Sequence, residues 1–431
     1  MKKINSKWFT IILLSLIFIT IIAFVNKENN SIITGESELD AKITKKEIKE
    51  DRNKMIDIME STHPIFLEEV PKEYEEAKNK FIKDTKKEMT IGEFQLALSK
   101  YTSSIEDGHT MVYFKGANSL DINWKYIDKN LVLLDDSNKP TNKIVTSINN
   151  VSVEEIIKVI DETFPAENYV YEYVNNSSMS KEKLVLISAG VDTSKDIILS
   201  IKEGKSNYEM KVEFNGYDRY NKSNHDIYAK NIDESTAYIK LGICKVNDSL
   251  KKVISYLNNN LDNLKNVIID VRDNPGGDST ACEMILESLK IKAGGFGGVK
   301  RYSKLVNEMY PEAKSSGYET FKRSNDVVKN EDIKLYVLMN EKTFSSAQWL
   351  ATVVSDGELG TLVGKPSRNT PSSFGNIIPF MLKNSKIQGQ ISFVKWLRPD
   401  ETKDSQKVLE PHIRVEDGED ALEKTLELIK E

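Results

Sequence analysis

The spacing of apolar positions divides the chain into regions of different secondary structure. In residues 42–104 apolar side chains recur every three or four positions, as in "KKEIKEDRNKMIDIMEST", which predicts amphipathic helices. Thr90 followed by Glu93 predicts a capping box at the start of one helix. His63 before Pro64 predicts the end of another, because the residue before a proline disfavours helical backbone. The first region is therefore expected to be helical up to "DGHTMVYF", where a turn leads into a short β run.

Residues 115–225 form a middle region that mixes strand and helix patterns. "NLVLLD", "KIVTSINN" and "DIILSIKE" are typical of strands, whereas "SVEEIIKVIDETF" is typical of a short helix. The continuous stretch "KIVTSINNVSVEEIIKVI" has the strand, turn and helix of a PDZ-type domain. The middle region is therefore predicted to be β-rich and PDZ-like.

From residue 226 to the C-terminus, apolar strands alternate with amphipathic helices. "NVIIDV" and "KLYVLMN" are apolar strands, and each is followed by a turn and a helix. This alternation predicts a largely parallel sheet with both faces covered. Ligand chemistry in such sheets gathers at the carboxyl ends of the strands, where "RDNPGG" and "NEKTFSSAQ" lie. The predicted fold class is α/β, with a helical region at 42–114, the β-rich middle at 115–225 and the β/α sheet domain at 226–431.

The first 30 residues carry a membrane-targeting pattern. "MKKINSK" contributes three lysines, and the uncharged segment Trp8–Val25 follows before polar "NKENN". Eighteen residues are about the minimum that spans a bilayer, and they exceed most signal-peptide cores. The lysines are expected to stay in the cytoplasm. We therefore predict a single-pass anchor in the cell membrane within residues 1–30, a linker at 31–41 and an extracytoplasmic remainder; a cleaved signal peptide followed by secretion is the alternative.

Composition narrows the partners. The chain has 431 residues, which favours two or three domains, and a net charge of −6. Because the charges are mixed and no basic stripe is present, nucleic acid is not an expected partner. Cys244 and Cys282 lie in apolar contexts, so two buried thiols are favoured over one disulfide, and their spacing does not indicate a metal site.

Two turns at the carboxyl ends of the predicted strands offer groups for catalysis. Pro275-Gly276-Gly277 allows a sharp turn that leaves backbone N–H groups uncovered, and such groups can bind a developing oxyanion. Ser345 and Ser346 lie where a strand becomes a helix, near the positive end of the helix dipole. Each turn also has an ordinary structural interpretation, a tight β–α turn or a helix N-cap.

Histidine supplies the best general base near neutral pH. Of the four histidines, His109 in "DGHT" begins a β run, whereas His63 is expected to have a packing or capping role.

Taken together and in this order, these segments resemble the tail-specific, or C-terminal processing, serine peptidase family. "NVIIDVRDNPGG" is similar to that family's strand and D-L-R-x-N-x-G-G loop. "NEKTFSSAQWLATVVSDGELGTLVGKPS" is similar to its N-x-x-T-x-S-A-x-E segment, which places Ser345 at the nucleophile position. The resemblance runs from about residue 42 to the end. It implies a crotonase-like C-terminal domain, a middle module that binds substrate tails, protein or peptide substrates, and no metal or organic cofactor.

The chain also departs from the family pattern. A Ser–Lys dyad would place lysine about 25 residues after Ser345, where this chain has Thr370. The resemblance is therefore to the tricorn-like branch, in which an upstream histidine, here His109, is the base. That branch has Ser directly before the histidine, where this chain has Gly108. Two further departures are Gln348 in place of Glu and His412 in place of Asp.

This resemblance implies a serine peptidase mechanism, in which an activated serine attacks the peptide carbonyl and a histidine carries its proton. A catalytically weak or inactive peptide-binding protein on the same scaffold is the alternative. An esterase with the same Ser–His pair is a second, although the absent G-x-S-x-G disfavours an α/β-hydrolase fold. The predicted site residues are Ser345 as nucleophile, His109 as base, Asp400 or Glu401 as the acid that orients His109, and Gly276 or Gly277 with Ser346 as oxyanion donors.

Overall fold

The computed structural model of the protein describes residues 36–113, 118–215 and 225–431. The predicted membrane anchor, Trp8–Val25, lies outside these residues. No helix within the described ranges combines the length and the apolar character that a bilayer-spanning segment requires.

The N-terminal region is helical, as its three-four spacing predicts. Thr90 and Glu93 form the predicted capping box, and Thr44 with Glu47 forms another. His63 ends the first long helix, where its N–H donates to the carbonyl of Met59. Helices span Glu36–Leu39, Lys45–Thr62, Lys72–Asp84 and Ile91–Ser103, a 3-10 turn spans Pro64–Leu67, and the short strands Lys42–Ile43 and Met89–Thr90 pair antiparallel.

This helical region shares its hydrophobic core with a sheet contributed by the C-terminal region. Met55 and Phe94 of the helices pack in one cluster with Ile391 and Phe393 of a C-terminal strand. The short strand that follows the DGHT segment pairs antiparallel with the same strand. Residues 42–113 therefore share one core with a C-terminal sheet that is distant in sequence. The sheet has the order Gly317–Phe321, Gly297–Tyr302, Gln388–Leu397 and Phe374–Met381, with Met111–Val112 pairing to Gln388–Leu397; the helix Lys304–Met309 connects two of its strands.

The middle region contains an antiparallel sheet and three helices. The predicted PDZ-like strand, turn and helix are present, with Asn149 and Asn150 at positive φ in the turn. Ser152 caps the helix, whose apolar face joins the core of the sheet. The sheet strands are Trp124–Ile127, Asn130–Leu134, Pro140–Ile148, Val151–Ser152, Ile197–Glu203 and Ser206–Val212; Ser119–Leu120 pairs with Phe214–Asn215; the helices are Val153–Thr163, Tyr169–Met179 and Lys183–Ser188.

The C-terminal sheet is the largely parallel one that the β/α alternation predicts. Its first strand is antiparallel to the second, and the remaining pairs are parallel. Alternate side chains pack against helices on opposite faces, so both faces are buried. In order across the sheet the strands are Ile227–Asn231, Thr236–Leu241, Asn266–Asp270, Lys334–Met339, Thr361–Gly364 and Ile413–Arg414, and the helices are Asp248–Asn260, Thr280–Ser288, Ser346–Asp356 and Ala421–Lys430, with 3-10 turns at Leu261–Asn263 and Glu401–Lys403.

The topology brings the two candidate loops together. Strand Asn266–Asp270 pairs directly with strand Lys334–Met339, and both run in the same direction. Their carboxyl ends therefore lie side by side at one edge of the sheet. The glycine loop (residues 273–278) follows the first strand, and the serine turn (residues 340–346) follows the second.

Candidate active site

Ser345 lies in the serine turn, directly before the helix Ser346–Asp356, with φ 53° and ψ −123°. A non-glycine residue at positive φ carries strain, which persists only where the surroundings hold it. The N–H of Ser345 donates to Oδ1 of Asn369 at 2.7 Å. This bond fixes the strained residue and shows that its own N–H is not free for a substrate oxyanion.

The ordinary structural interpretation of this turn is a helix N-cap, but the side chains here do not make the hydrogen bonds of a cap. Ser345 occupies the cap position, but no side chain there makes a capping hydrogen bond. Ser346 Oγ instead donates to the carbonyl of Gly277 at 2.7 Å, which ties the serine turn to the glycine loop. Thr343 Oγ1 donates to the carbonyl of Val271 at 3.0 Å and so joins the turn to the neighbouring strand.

The glycine loop packs directly against Ser345. Gly276 and Gly277 have φ of +98° and +130°, a conformation that favours glycine. A Cβ atom on Gly276 would lie 2.5 Å from Cβ of Ser345 and 3.0 Å from the nitrogen of Ser346. The backbone of the loop therefore lies so close to the serine that there is no room for a side chain at position 276.

The three predicted oxyanion donors are not equivalent. The N–H of Gly276 already donates to Oδ1 of Asn274 at 2.8 Å. Within the part of the chain that the structure describes, the N–H groups of Gly277 and Ser346 have no such partner. The geometry therefore leaves these two N–H groups available and assigns Gly276 the role of close packing.

His109 is buried against the residue that precedes Ser345. Its ring stacks on Phe344 with centroids 4.5 Å apart, and the side chain is 9% exposed. Neither ring nitrogen has a hydrogen-bond partner among the described residues. No hydrogen bond joins His109 to Ser345 in this conformation, although catalytic hydrogen bonds are often long or absent without substrate.

Two acids face the same nitrogen of His109. Nδ1 lies 3.8 Å from Oδ1 of Asp107 and 3.8 Å from Oε1 of Glu167. Because Nδ1 faces the acids, Nε2 is the nitrogen left for a serine hydroxyl.

Asp107 is fully buried within a network of donors. It accepts hydrogen bonds from Nε2 of His63 at 3.1 Å, Oγ1 of Thr110 at 2.6 Å and the N–H of His109 at 2.8 Å. Burial raises the pKa of Asp107, but the interactions of its carboxylate with His63, His109 and Thr110 together lower the pKa to about 2. His63 also accepts the N–H of Ile65 with Nδ1, which confirms its predicted capping role and adds a second one.

Glu167, which the sequence pattern did not indicate, connects the two halves of the site. Its Oε1 accepts the N–H of Gly108 at 3.0 Å. Its Oε2 accepts the Nδ2 group of Asn369 and the N–H of Thr370, both at 2.7 Å. The residue lies in "FPAENYV" just before a helix of the middle region, where no motif marks it.

Glu167 also accounts for two departures from the family pattern. A Cβ atom on Gly108 would lie 2.4 Å from Cε1 of Tyr171 and 2.9 Å from Oε1 of Glu167, so no serine fits there. At the position of the dyad lysine, the backbone of Thr370 binds the same carboxylate. Lys365, at another spacing, pairs with Asp417 instead.

The structure does not bring Asp400 or Glu401 to His109. Asp400 caps the 3-10 turn, where it accepts the N–H of Thr402 and pairs with Lys403 at 2.9 Å. The hydrogen bonds from Thr402 and Lys403 lower the pKa of Asp400 to about 2. Glu401 is exposed on the same turn. Asp400 therefore serves as the cap of the 3-10 turn. The acids beside His109 are Asp107 and Glu167.

The other two departures are structural. Gln348 is buried in its helix and donates to Oγ1 of Thr352. His412 accepts the N–H of Leu362 with Nδ1 at 2.9 Å, and burial lowers its pKa.

Asp107, His109 and Glu167 each offer a ligand atom, and the three atoms lie within 4.8 Å of one another. Every carboxylate oxygen of the two acids already accepts a protein hydrogen bond. The acids are thus oriented by protein donors. Cys244 and Cys282 are buried free thiols with sulfurs 3.6 Å apart, as the buried-thiol interpretation predicts.

The serine turn and the glycine loop both lie in the part of the chain that matches a family model. Residues 235–415 match the model of Peptidase family S41. The resemblance to the tail-specific peptidases is therefore confirmed over these residues.

Solved structures agree with this fold assignment. A crystal structure of mature CPAF is similar with a TM-score of 0.58 at 10% identity, over 85% of this chain and 93% of that one. A structure of mature CPAF complexed with lactacystin has a TM-score of 0.57 at 11% identity, over 85% and 94%. At these identities the likeness concerns the fold. A search of curated protein sequences gives no significant match.

Proposed function

We propose that the protein is an extracytoplasmic serine endopeptidase in which Ser345 is the nucleophile and His109 the general base. One observation carries the proposal: His109 stacks on Phe344 while the next residue, Ser345, is held at positive φ against Gly276. A base, a strained serine and free backbone donors thus converge at the carboxyl edge of the sheet.

The proposed reaction begins when Ser345 Oγ attacks the peptide carbonyl and Nε2 of His109 takes its proton. The N–H groups of Gly277 and Ser346 hold the resulting oxyanion. His109 then gives the proton to the leaving amine, and water hydrolyses the acyl-enzyme by the same route. In this conformation the histidine must first move to within hydrogen-bond reach of the serine, about 2.6–3.2 Å.

Glu167 and Asp107 orient and stabilise the imidazolium in place of a late acid. Both carboxylates face Nδ1, so they favour the positive charge that His109 gains during attack. Glu167 also accepts a hydrogen bond from Nδ2 of Asn369, and Oδ1 of Asn369 accepts the N–H of Ser345. One acid thereby positions the base and the nucleophile together.

The direct test is to incubate the protein with a defined peptide mixture and to identify new termini by mass spectrometry. We expect internal cleavage by wild type, none by Ser345→Ala, and unchanged cleavage in the presence of a metal chelator. Wild-type cleavage that persists in Ser345→Ala would overturn the assignment of the nucleophile.

A non-catalytic peptide-binding protein is the second candidate, and the missing Ser345–His109 hydrogen bond is the observation that favours it. Such a protein would bind the same peptides without producing new termini. Its affinity would be equal in wild type and Ser345→Ala.

We further propose that the chain is anchored in the cell membrane through Trp8–Val25, with the peptidase part outside the cytoplasm. The charge pattern of "MKKINSK" before the apolar segment supports this orientation. Sequencing of the mature N-terminus from native membranes tests it. A terminus near Asn26 would instead establish a cleaved signal peptide.

A further inference from the structure

Arg368 lies in the loop between strands Thr361–Gly364 and Phe374–Met381, and its neighbours fix it at the candidate site. Ser367 is buried, and its Oγ donates to the carbonyl of Thr343 at 2.9 Å. Asn369 is buried and accepts the N–H of Ser345. The backbone is therefore held on both sides of Arg368 by the nucleophile turn itself.

The side chain of Arg368 sits between two aromatic rings. Its guanidinium carbon lies 4.9 Å from the ring centroid of Tyr171 and 4.9 Å from that of Phe344. The ring of Phe344 also stacks on His109. Arg368 and the proposed base thus contact the same ring, which places this cation beside the candidate active site.

This cation has no acidic partner. Across the described ranges no carboxylate lies within salt-bridge distance of Arg368, and its Nε is buried without a hydrogen-bond partner. Arg272, Arg323 and Arg398, by contrast, each pair with at least one aspartate. Arg52 and Arg301 lack a carboxylate partner but donate to backbone carbonyls.

Contact with aromatic faces contributes about 0.5–2 kcal/mol, but it leaves the N–H donors of a guanidinium unused. A half-buried donor without a partner is costly unless a ligand supplies the acceptor. The planar guanidinium fork matches a carboxylate, which accepts two parallel hydrogen bonds. The acids nearest the site do not fill this role, because the oxygens of Asp107 and Glu167 are taken by other donors.

We propose that Arg368 binds a carboxylate of the substrate beside the scissile bond and thereby sets specificity. This proposal rests on the proposed peptidase function. The carboxylate has two possible sources: the side chain of an aspartate or glutamate close to the cleaved bond, or the C-terminal carboxylate of a short substrate. Both present the same planar acceptor to the fork.

The test uses the full chain and matched peptides. One pair differs by Glu or Gln at a single position next to the cleaved bond, and a second pair has a free or an amidated C-terminus. We expect wild type to prefer a carboxylate in one pair by about 10- to 100-fold in kcat/KM, and the pair that responds identifies the source. Arg368→Gln should bring the ratio of kcat/KM between the carboxylate peptide and its neutral partner close to 1.

Two variants make the result specific. Arg368→Lys keeps the charge over the rings but loses the fork, so it should retain the fold and only part of the preference. Arg414→Gln changes an exposed arginine that pairs with Glu410, and it should behave as wild type. An equal loss for all peptides in Arg368→Gln, or no discrimination by wild type, would overturn the proposal, because Arg368 would then only balance local charge or brace the aromatic rings.

Binding measurements separate this proposal from the peptidase function. In Ser345→Ala, fluorescence anisotropy should show the same carboxylate preference in Kd, and adding Arg368→Gln should abolish it. If no peptide is cleaved but this preference persists, the peptidase function fails and the carboxylate site stands. If peptides are cleaved without any carboxylate preference, the peptidase function stands and the carboxylate site fails.

Discussion

Oε1 of Glu167 lies 3.8 Å from Nδ1 of His109, while Oε2 of the same carboxylate holds the side chain of Asn369 at 2.7 Å. Asn369 in turn accepts the N–H of Ser345. A single buried acid from the middle region therefore links the proposed base to the proposed nucleophile. The middle region is a structural part of the site as well as a candidate substrate-binding module.

Replacing Glu167 with Gln should impair both catalysis and stability. The glutamate accepts three N–H donors, and a glutamine would turn an NH₂ group towards at least one of them. We expect a loss of about 1–3 kcal/mol in the free energy of unfolding and about 10- to 1,000-fold in kcat. Urea denaturation and steady-state kinetics measure the two effects.

A matched glutamate separates a role at the site from a general effect of the substitution. Glu209→Gln alters an exposed glutamate of the same middle region and should leave both the stability and kcat unchanged. Full kcat in Glu167→Gln would contradict a role for this acid at the site.

The strain at Ser345 predicts an unusual order of stability. Ala keeps a Cβ at φ 53°, whereas Gly accepts this conformation freely. Relief of about 1–3 kcal/mol of strain exceeds the entropy cost of glycine, about 0.4–1 kcal/mol. Ser345→Gly should therefore be more stable than Ser345→Ala by about 1 kcal/mol, with both variants inactive. Thermal or urea denaturation measures this difference.

Ser355, within the following helix, is the control position. There the Gly variant should be less stable than the Ala variant by about 1 kcal/mol. If Gly is less stable than Ala at position 345 as well, Ser345 is not strained.

Close approach at Gly276 predicts a loss of activity on adding one methyl group. A Cβ there would meet Cβ of Ser345 at 2.5 Å and the carbonyl oxygen of Phe344 at 2.8 Å. Gly276→Ala should reduce kcat/KM by at least about 100-fold, because it displaces the nucleophile and the neighbouring oxyanion donors. Gly190 has a similar φ of +92° with nothing within 4 Å, so Gly190→Ala reports the backbone cost alone. Equal activity in the two variants would contradict the packing argument.

Ionised Asp107 should contribute a pH-dependent part of the stability. Because its pKa is about 2 when folded and close to 4 in an unfolded chain, ionisation stabilises the fold above about pH 4. The contribution, about 2 kcal/mol at neutral pH, is lost as the pH falls from 4 towards 2. The stability gap between wild type and Asp107→Asn should therefore narrow over that range. Asp136→Asn, at an exposed aspartate, should show no such gap. A constant gap for Asp107→Asn would contradict the lowered pKa.

The sequence predicts much of the fold because local patterns encode it. The capping box at Thr90, the helix end at His63 and the alternation after residue 226 are all confirmed. The antiparallel sheet that joins residues 297–397 to the N-terminal helices was not predicted, because its pairings connect distant segments with no local signal. That the middle region is a true PDZ domain stays a prediction.

Some residues of the candidate site are likewise predicted from local sequence, and others are not. Ser345 and the glycine loop are marked by motifs at the ends of adjacent strands, and His109 by the DGHT segment. Glu167 carries no motif, and only three-dimensional packing against Gly108 and Asn369 shows its place. The late acids Asp400 and Glu401 rest on the family resemblance alone, which does not report what surrounds a residue in this fold.

The most direct measurement of the central claim is labelling of the full chain with a serine-directed fluorophosphonate, followed by mass spectrometric mapping. Our account predicts labelling at Ser345 in wild type, none in Ser345→Ala, and a rate lower by about 100-fold or more in His109→Ala. His225→Ala, at a histidine outside the site, should label as wild type does. Labelling at another residue, or full labelling of Ser345 in His109→Ala, would contradict the Ser345–His109 mechanism.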